Sequence, residues 1–470
     1  MIALTLAEIG HAIGAALHPH GEHTEATVIS GAVDTDSRLI TAGGVFVAKP
    51  GEQTDGHHFV GAALENGAAV AIVDHLVDVE ITQLVVADVI TALADLAREV
   101  VSRVRAHGDL RIVGITGSNG KTTTKNLLAR ILEDEGETVA PIASFNNEVG
   151  APLTMLRVRE STRFLVSEFG ASGPGEIARL AGLVTPDVGV VLMVGMAHAG
   201  GFGGIERTVY EKGRLIAAVR AGGTAVLNID DARVATMAQI AAENDEHVVW
   251  FGHGADADLR ASDVEVTANG TDFTVTVDGE SHRVHLQVLG AHHVMNAIAA
   301  IAAARALGVT VSDAIARLET VSIAERWRMQ PLGSDRVRII NDAYNASPDS
   351  MAAALRTLAQ ITEPGQRKVA VLGAMSELGE FAGDAHDEVG LLAVRLRFER
   401  IVVVGRDARR LYLSAIAEGS WDGEAVFFET ADEAYDYLMG ELRDGDRVLV
   451  KSSNSAGLRF LGDRMGESFS

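Results

Sequence analysis

Ile112-Val113-Gly114-Ile115-Thr116-Gly117-Ser118-Asn119-Gly120-Lys121-Thr122-Thr123 leads from an apolar run, through closely spaced glycines, into a segment where Leu127, Leu128, Ile131 and Leu132 recur at helical spacing. This pattern predicts a strand, a loop and a helix over Lys121–Glu133. A glycine-rich turn between strand and helix can aim backbone N–H groups at an anion, and the helix start adds its own unsatisfied donors. Lys121 contributes a mobile positive charge, and Thr122 a hydroxyl suited to magnesium. Gly117, Ser118, Asn119, Gly120, Lys121, Thr122 and Thr123 are therefore the candidate cradle for the phosphates of a nucleotide. A strict GxxxxGK[ST] loop would have glycine where Ile115 stands, so this is a variant. By itself it leaves the chemistry open.

Outward from this loop the chain divides into three regimes, expected at 1–108, 109–324 and 325–470. In the first, short strand-like pieces (45–47, 69–73, 84–86) mix with helix signals, the last over 91–104, as in a small α/β unit. In the second, apolar runs at 164–166, 188–194 and 224–227 alternate with helical stretches, the signature of a largely parallel sheet. Between 264 and 288 strict alternation takes over, and Asn269-Gly270 and Asp278-Gly279 mark hairpin turns of a small antiparallel appendage. The third regime has strand candidates at 337–340, 368–372, 401–404, 425–428 and 447–450 with helices between, a second doubly wound unit. The expected fold class is thus α/β in three domains: a small N-terminal unit, a central P-loop-type parallel sheet and a C-terminal Rossmann-like domain.

Forty Lys and Arg against 64 Asp and Glu give a net charge of −24, which argues against a broad nucleic-acid surface. The absence of cysteine removes disulfides, thiol nucleophiles and Cys-ligated metals, so any metal should be a hard one. No apolar run approaches the roughly 20 residues of a membrane helix. The opening MIALTLAEIGHAIGA lacks a basic start and a small-residue cleavage site, so cytoplasmic residence is expected. Glu168 ends one apolar run and His198 follows the next, which sets both at the carboxyl edge of the sheet, where open α/β sheets bind ligands.

The loop TGSNGKTTT resembles the nucleotide loop of the Mur ligase family, usually TGxxGKT[ST], and further segments extend the resemblance over all three regimes. Ser144-Phe145-Asn146-Asn147-Glu148-Val149-Gly150-Ala151-Pro152-Leu153-Thr154 is similar to the family's NxNNxxGxPxT. Gly170-Ala171-Ser172-Gly173-Pro174-Gly175-Glu176-Ile177 resembles a GASxPGEI stretch of the branch that adds D-alanyl-D-alanine. Asn228-Ile229-Asp230-Asp231 resembles NxDD, a pattern that also reads as an Asx turn. Gly290-Ala291-His292-His293-Val294-Met295-Asn296 resembles GxHNxxN, with His293 replacing the first asparagine. Arg328 stands for a GRM-type arginine, and Asp342-Ala343-Tyr344-Asn345-Ala346-Ser347-Pro348-Asp349-Ser350 resembles DxYNANPxS. Val371-Leu372-Gly373-Ala374-Met375-Ser376-Glu377-Leu378-Gly379 with His386 resembles VLGDMxELG and its histidine, and Val450-Lys451-Ser452-Ser453 resembles VKGS with the glycine lost. Asp36-Ser37-Arg38 with Gly43 to Ala48 resembles DSRxxxxGxxFxA.

The resemblance implies an ATP-dependent amide-bond ligase of peptidoglycan precursor synthesis, working through an acyl phosphate. Its substrates would be a UDP-linked muramoyl tripeptide and D-alanyl-D-alanine, and its cofactors ATP and Mg2+. Ser37 and Arg38 in the N-terminal domain would hold the UDP end, with Asn146, Asn147, Tyr344 and Asn345 as further substrate contacts. Asn296 would read the adenine, while Arg328 and Asp342 would close the C-terminal domain over ATP and the dipeptide. Lys121, Glu168, His198 and Lys212 would be catalytic, with Thr122, Glu168, His198 and a carbamylated Lys212 at the metal. No DNPR-like signature of the branch adding a diamino acid as third residue is present. That same-fold ligase is one rival, and a regulatory P-loop NTPase is another, though the latter would not need a UDP-binding domain. A monomer without nucleic-acid partners or membrane insertion is expected.

Overall fold

The computed structural model describes residues 1–51, 54–171, 173–195, 204–321, 325–418 and 423–470. Three sheets organise the chain. The N-terminal sheet has the order Ala16–His18, Thr82–Val85, Ala68–Val73, Gly44–Val47, Val33–Asp34, parallel except for its first pair. Helix Val89–His107, capped by Asp88 through the Thr91 amide, then leads into the central strand Arg111–Thr116. It starts earlier and ends later than 91–104, because its buried stripe runs from Val89 through Val104.

The central sheet has nine strands in the order Glu280–Leu286, Gly270–Val277, Leu259–Thr267, His247–Gly252, Thr224–Asn228, Val188–Val191, Arg111–Thr116, Phe164–Glu168, Thr138–Val139. The pairs from Thr138–Val139 to Leu259–Thr267 are parallel, and the last two are antiparallel. The expected antiparallel appendage is therefore the edge of this sheet. Its Asp278-Gly279 turn has both residues at positive φ (51° and 82°), the geometry a tight hairpin requires. In the other turn Gly270 already pairs with Thr267, so that turn sits one residue earlier than the Asn-Gly pair suggests. The strand expected over 188–194 ends at Val191, since the Val194 amide leaves the ladder for the Asp231 carboxylate (2.7 Å).

Arg111–Thr116 lies between Phe164–Glu168 and Val188–Val191, so its carboxyl end opens on the crevice where strand order reverses. Helices cover both faces. On one, His292–Ala306 is buried nearly all round, and its alanines let it lie close against Leu127, Leu128 and Ile131 of Lys121–Glu133. On the other, Leu93, Leu96 and Val100 of the N-terminal helix share one apolar core with Ile112, Leu165, Phe169 and Leu215. A buried acid reinforces this joint: Asp187 accepts from the Ile112 amide (2.8 Å) and from Arg105 of that helix (2.8 Å), with Arg220 at 2.9 Å.

The C-terminal sheet has the order Gln330–Gly333, Val337–Asn341, Asp446–Lys451, Arg367–Leu372, Arg400–Val404, Ala425–Phe428. All pairs are parallel except the first, an edge strand containing Pro331 that periodicity did not reveal. Asp342 and Lys451 close two adjacent strands of this sheet, as Thr116 and Glu168 close two of the central one. Glu168, Asp342, Lys451 and the loop that follows Thr116 line one cleft.

Candidate active site

The phosphate loop begins where Arg111–Thr116 ends. Gly120 is the N-cap of Lys121–Glu133 at φ +87°, and no side chain caps the first amides, which leaves them open to an anion. Only glycine fits there, because a β-carbon would fall 2.3 Å from the Asn296 amide oxygen. Lys121 curls back so that its Nζ donates to Gly117 O at 2.8 Å. Burial lowers its pKa, a tendency that Glu168 opposes and Arg328 reinforces. Ser118 Oγ accepts from the Gly195 amide (2.8 Å) and ties the loop to the neighbouring strand end.

Glu168 is almost fully buried at its strand end. One carboxylate oxygen accepts from Asn146 Nδ2 at 2.6 Å, and the other has no hydrogen-bond partner. A buried carboxylate oxygen without a donor is costly unless a cation completes it. Thr122 Oγ1 lies 3.0 Å from Ser144 Oγ. Lys212, on helix Ile205–Ile216, is buried, and its pKa is pushed well below the usual lysine value by burial and then by Lys121. The orphaned Glu168 oxygen and the Thr122 hydroxyl belong to one cavity lining, and both are oxygen donors of the kind a hard cation takes. His198 falls within 196–203, outside the described residues.

The far wall comes from the C-terminal sheet. Arg328 donates from Nη2 to both Thr122 Oγ1 and Ser144 Oγ (3.1 Å each), pairs with Glu325 at 3.0 Å and stacks over Tyr344 at 4.3 Å. Trp327 and Met329 on either side of it adopt φ of +60° and +48°. Such left-handed backbone persists only where the surroundings hold it. The Trp327 indole donates to Asp463 (2.9 Å) and the Met329 amide to Asp342 (3.0 Å). The second Asp342 oxygen accepts from the buried Lys451 Nζ at 2.5 Å. Ser347 Oγ donates to Asn119 Oδ1 at 3.0 Å, a second bond between the C-terminal sheet and the phosphate loop.

The phosphate loop from Ser118 onward, Glu168, Arg328, Asp342 and Lys451 line a cavity of about 340 Å³ together with Asn147, Asn296, Tyr344 and Asn345, and Lys212 lies outside that lining. Asn147 Oδ1 caps the turn at Val149 and Gly150, and Asn345 Oδ1 accepts from the Ala346 amide, so both side chains also shape their loops. The Asn296 amide lies 3.3 Å from His293 Nδ1, and the His293 ring sits 4.0 Å from that of His292. Burial pushes His292 down to about 4 and His293 well below the usual histidine range, so both rings are neutral near pH 7. Ser37 and Arg38 are not part of this cavity. Ser37 is buried, and Arg38 is exposed and doubly bonded to Asp36. Asp231 caps a short helix and Asp230 accepts the His253 and Gly254 amides, so the Asn228–Asp231 segment is a structural turn.

Family models for the Mur ligase family catalytic domain, the Mur ligase middle domain and the Mur ligase glutamate ligase domain match residues 31–107, 115–304 and 327–454. A UDP-N-acetylmuramoyl-tripeptide--D-alanyl-D-alanine ligase from Mycobacterium tuberculosis is 40% identical over 99% of this chain and 98% of its own length. The chain belongs to the Mur ligase family. The corresponding ligase of Escherichia coli is 32% identical over 97% of each chain. Among solved structures, MurF from Acinetobacter baumannii superposes with a TM-score of 0.88 at 31% identity, covering 99% of both chains. The MurF ligase of Thermotoga maritima in complex with ADP gives 0.80 at 28% identity, covering 93% of this chain and 97% of its own.

Several residues of this Mur ligase site escape a reading by motif. Ser144 and Ser347 are small polar residues inside longer segments, and nothing local announces a partner nearly two hundred residues away or more. Lys451 was visible as part of a family loop. Its pairing with Asp342 follows only from the adjacency of their strands, and with Ser452 in place of glycine the loop still returns its amide bonds to Gly373 and Ala374. His386 is buried and accepts the Met375 amide, a structural role.

Proposed function

We propose that this Mur ligase uses ATP to join D-alanyl-D-alanine to UDP-N-acetylmuramoyl-tripeptide, releasing ADP and phosphate, in peptidoglycan precursor synthesis. The observation that carries this reading is 40% identity over nearly the full length to a UDP-N-acetylmuramoyl-tripeptide--D-alanyl-D-alanine ligase, joined to one cleft shared by the phosphate loop and the C-terminal sheet. The three expected domains take the roles of holding the UDP end (1–108), binding ATP (109–324) and closing over ATP and the dipeptide (325–470).

An amide does not form usefully from a carboxylate and an amine in water, so the acid must first be activated. A tripeptide carboxylate oxygen attacks the γ-phosphorus of ATP and ADP leaves. The dipeptide amine then attacks the acyl carbon and phosphate leaves. Phosphoryl transfer depends on position and on neutralising the equatorial oxygens. Lys121, the loop amides and Arg328 are the groups suited to this, while Asn296 and the neutral histidine pair flank the nucleotide end. Magnesium, when bound, would add positive charge at the phosphates, and Glu168, Thr122, His198 and a carbamylated Lys212 are the residues that would hold it. Carbon dioxide adds only to a neutral amine, which the burial of Lys212 favours. Lys212→Ala should lose most activity, and a small carboxylic acid should restore part of it. Full activity of Lys212→Ala in bicarbonate-free buffer would contradict this role.

No helix among the described residues is long and apolar enough to cross a membrane. We place the reaction in the cytoplasm, carried out by a monomer. The deciding assay follows ADP release with the UDP-muramoyl-tripeptide and either D-alanyl-D-alanine, meso-diaminopimelate, L-lysine or D-glutamate. Release with D-alanyl-D-alanine alone is expected. A response to the diamino acids with the dipeptide precursor would favour the third-residue ligase, and release independent of any amine would favour a switch NTPase.

A further inference from the structure

We propose that Lys125 is a positioning residue for the ligation step: buried beneath the loop 140–147, its ammonium fixes the backbone that presents Ser144 and Asn146 to the cleft. Lysine is almost never fully buried unless paired, yet Lys125 is 1% exposed and has no carboxylate within ion-pair distance among the described residues. It lies one helical turn beyond Lys121 on Lys121–Glu133, outside the cavity lining. Its Nζ donates instead to two peptide carbonyls of the loop, Pro141 O at 2.9 Å and Ala143 O at 3.1 Å. Hydrogen bonds from a charged donor are about twice as strong as neutral ones.

The loop needs such a hold. It follows the two-residue strand Thr138–Val139 and has no regular structure of its own. Beyond Ala140 and the buried Pro141 its apolar side chains do not anchor it, since Ile142 is 62% and Phe145 44% exposed. Pro141 has no amide to donate, and Ala143 sits at φ +50°, where a residue with a β-carbon stays only under constraint. Immediately after the clamped carbonyl, Ser144 meets Thr122 and Arg328, and Asn146 meets the single partnered oxygen of Glu168. Lys125 thus acts through the loop on the groups around Glu168, whereas the cradle of the nucleotide, Gly117 to Thr123, touches the loop at Thr122 and is held besides by ties of its own at Lys121 and Ser118. Burial lowers the Lys125 pKa, while Glu168 and Glu325 oppose that fall.

This inference rests on the proposed ligase reaction, so the first arm is the unmodified enzyme. If it shows no D-alanyl-D-alanine-dependent ADP release, that reading fails whatever Lys125 does. With the reaction established, Lys125→Met should lower kcat by about thirtyfold or more, as a misplacement near 1 Å does, while the KM for ATP stays within about threefold. Hydrogen exchange should accelerate at the amides of 140–147 and not elsewhere in the central sheet. Lys125→Arg, which can donate to the same carbonyls, should recover most of kcat. Wild-type kcat in Lys125→Met overturns the proposal, as do equal losses of kcat and ATP affinity, or an arginine variant as damaged as the methionine one. If Lys125→Met does not fold, Lys125→Gln is read in the same way, and failure of both to fold overturns the proposal because the side chain then holds the domain and not the loop.

Discussion

Among the described residues Lys121 reaches only a backbone carbonyl of its own loop, so its charge contributes to the reaction more than to the fold. Lys121→Ala should therefore keep its melting temperature within a degree or two while kcat falls by about 10²–10³, the range for removing one preorganised charge-stabilising donor. Steady-state ADP release beside a thermal melt checks both halves. Glu246 behaves in the opposite way. It is buried at the start of His247–Gly252, one carboxylate oxygen has no partner, and burial pushes its pKa from 4.5 up to about 7. Its folded-state pKa exceeds the unfolded one, so the native state holds the extra proton between those values. The stability present below pH 4.5 is then lost as pH rises through about 7. Glu246→Gln should match the wild-type melting temperature at pH 4 and exceed it at pH 8; a constant difference across that range would refute the assignment. Lys121 was legible because its neighbours form a motif. Glu246 was not, since only the packing around it makes an ordinary surface letter expensive.

Elements were legible where local chemistry and tertiary context agree. Lys121–Glu133 has the bounds that its leucine spacing predicts, and Asp278-Gly279 turns where two left-handed residues are needed. Reading failed where a distant group intervened. The apolar run after Val188 outlasts its strand because Asp231 captures an amide, and Gln330–Gly333 pairs despite its proline because it lies on an edge. Helix Pro348–Ile361 shows both sides of this. Pro348 stands in its first turn, and Ser347 Oγ caps it by accepting from the Ser350 amide at 3.3 Å. The same hydroxyl also donates to Asn119, which no local signal reveals. Ser347→Ala should cost about 1 kcal/mol in urea unfolding for the lost cap and raise the KM for ATP through the freed Asn119. Loss of stability with an unchanged KM would show the cap working alone.

At the scale of the whole molecule, the N-terminal and central sheets share one apolar core and the Asp187–Arg105 joint, while the C-terminal sheet is stabilised chiefly by cores of its own. Calorimetry should accordingly resolve two transitions, with proteolytic fragments showing that the N-terminal and central regions melt together. Three separate transitions would contradict the shared core. This partition was only half legible: three composition regimes are visible along the chain, but the apolar stripe of Val89–His107 does not say which sheet it serves. Arg328 and Ser347 carry a further consequence. They join the C-terminal wall to the phosphate loop, so the chamber is complete only while both bonds hold. A chain with that wall swung away can admit nucleotide but cannot shield an activated acid from water. Under the proposed reaction the two bonds are then a form of thrift: with them in place an activated acid is walled off from water, and the energy of ATP is not lost to hydrolysis before the amine attacks.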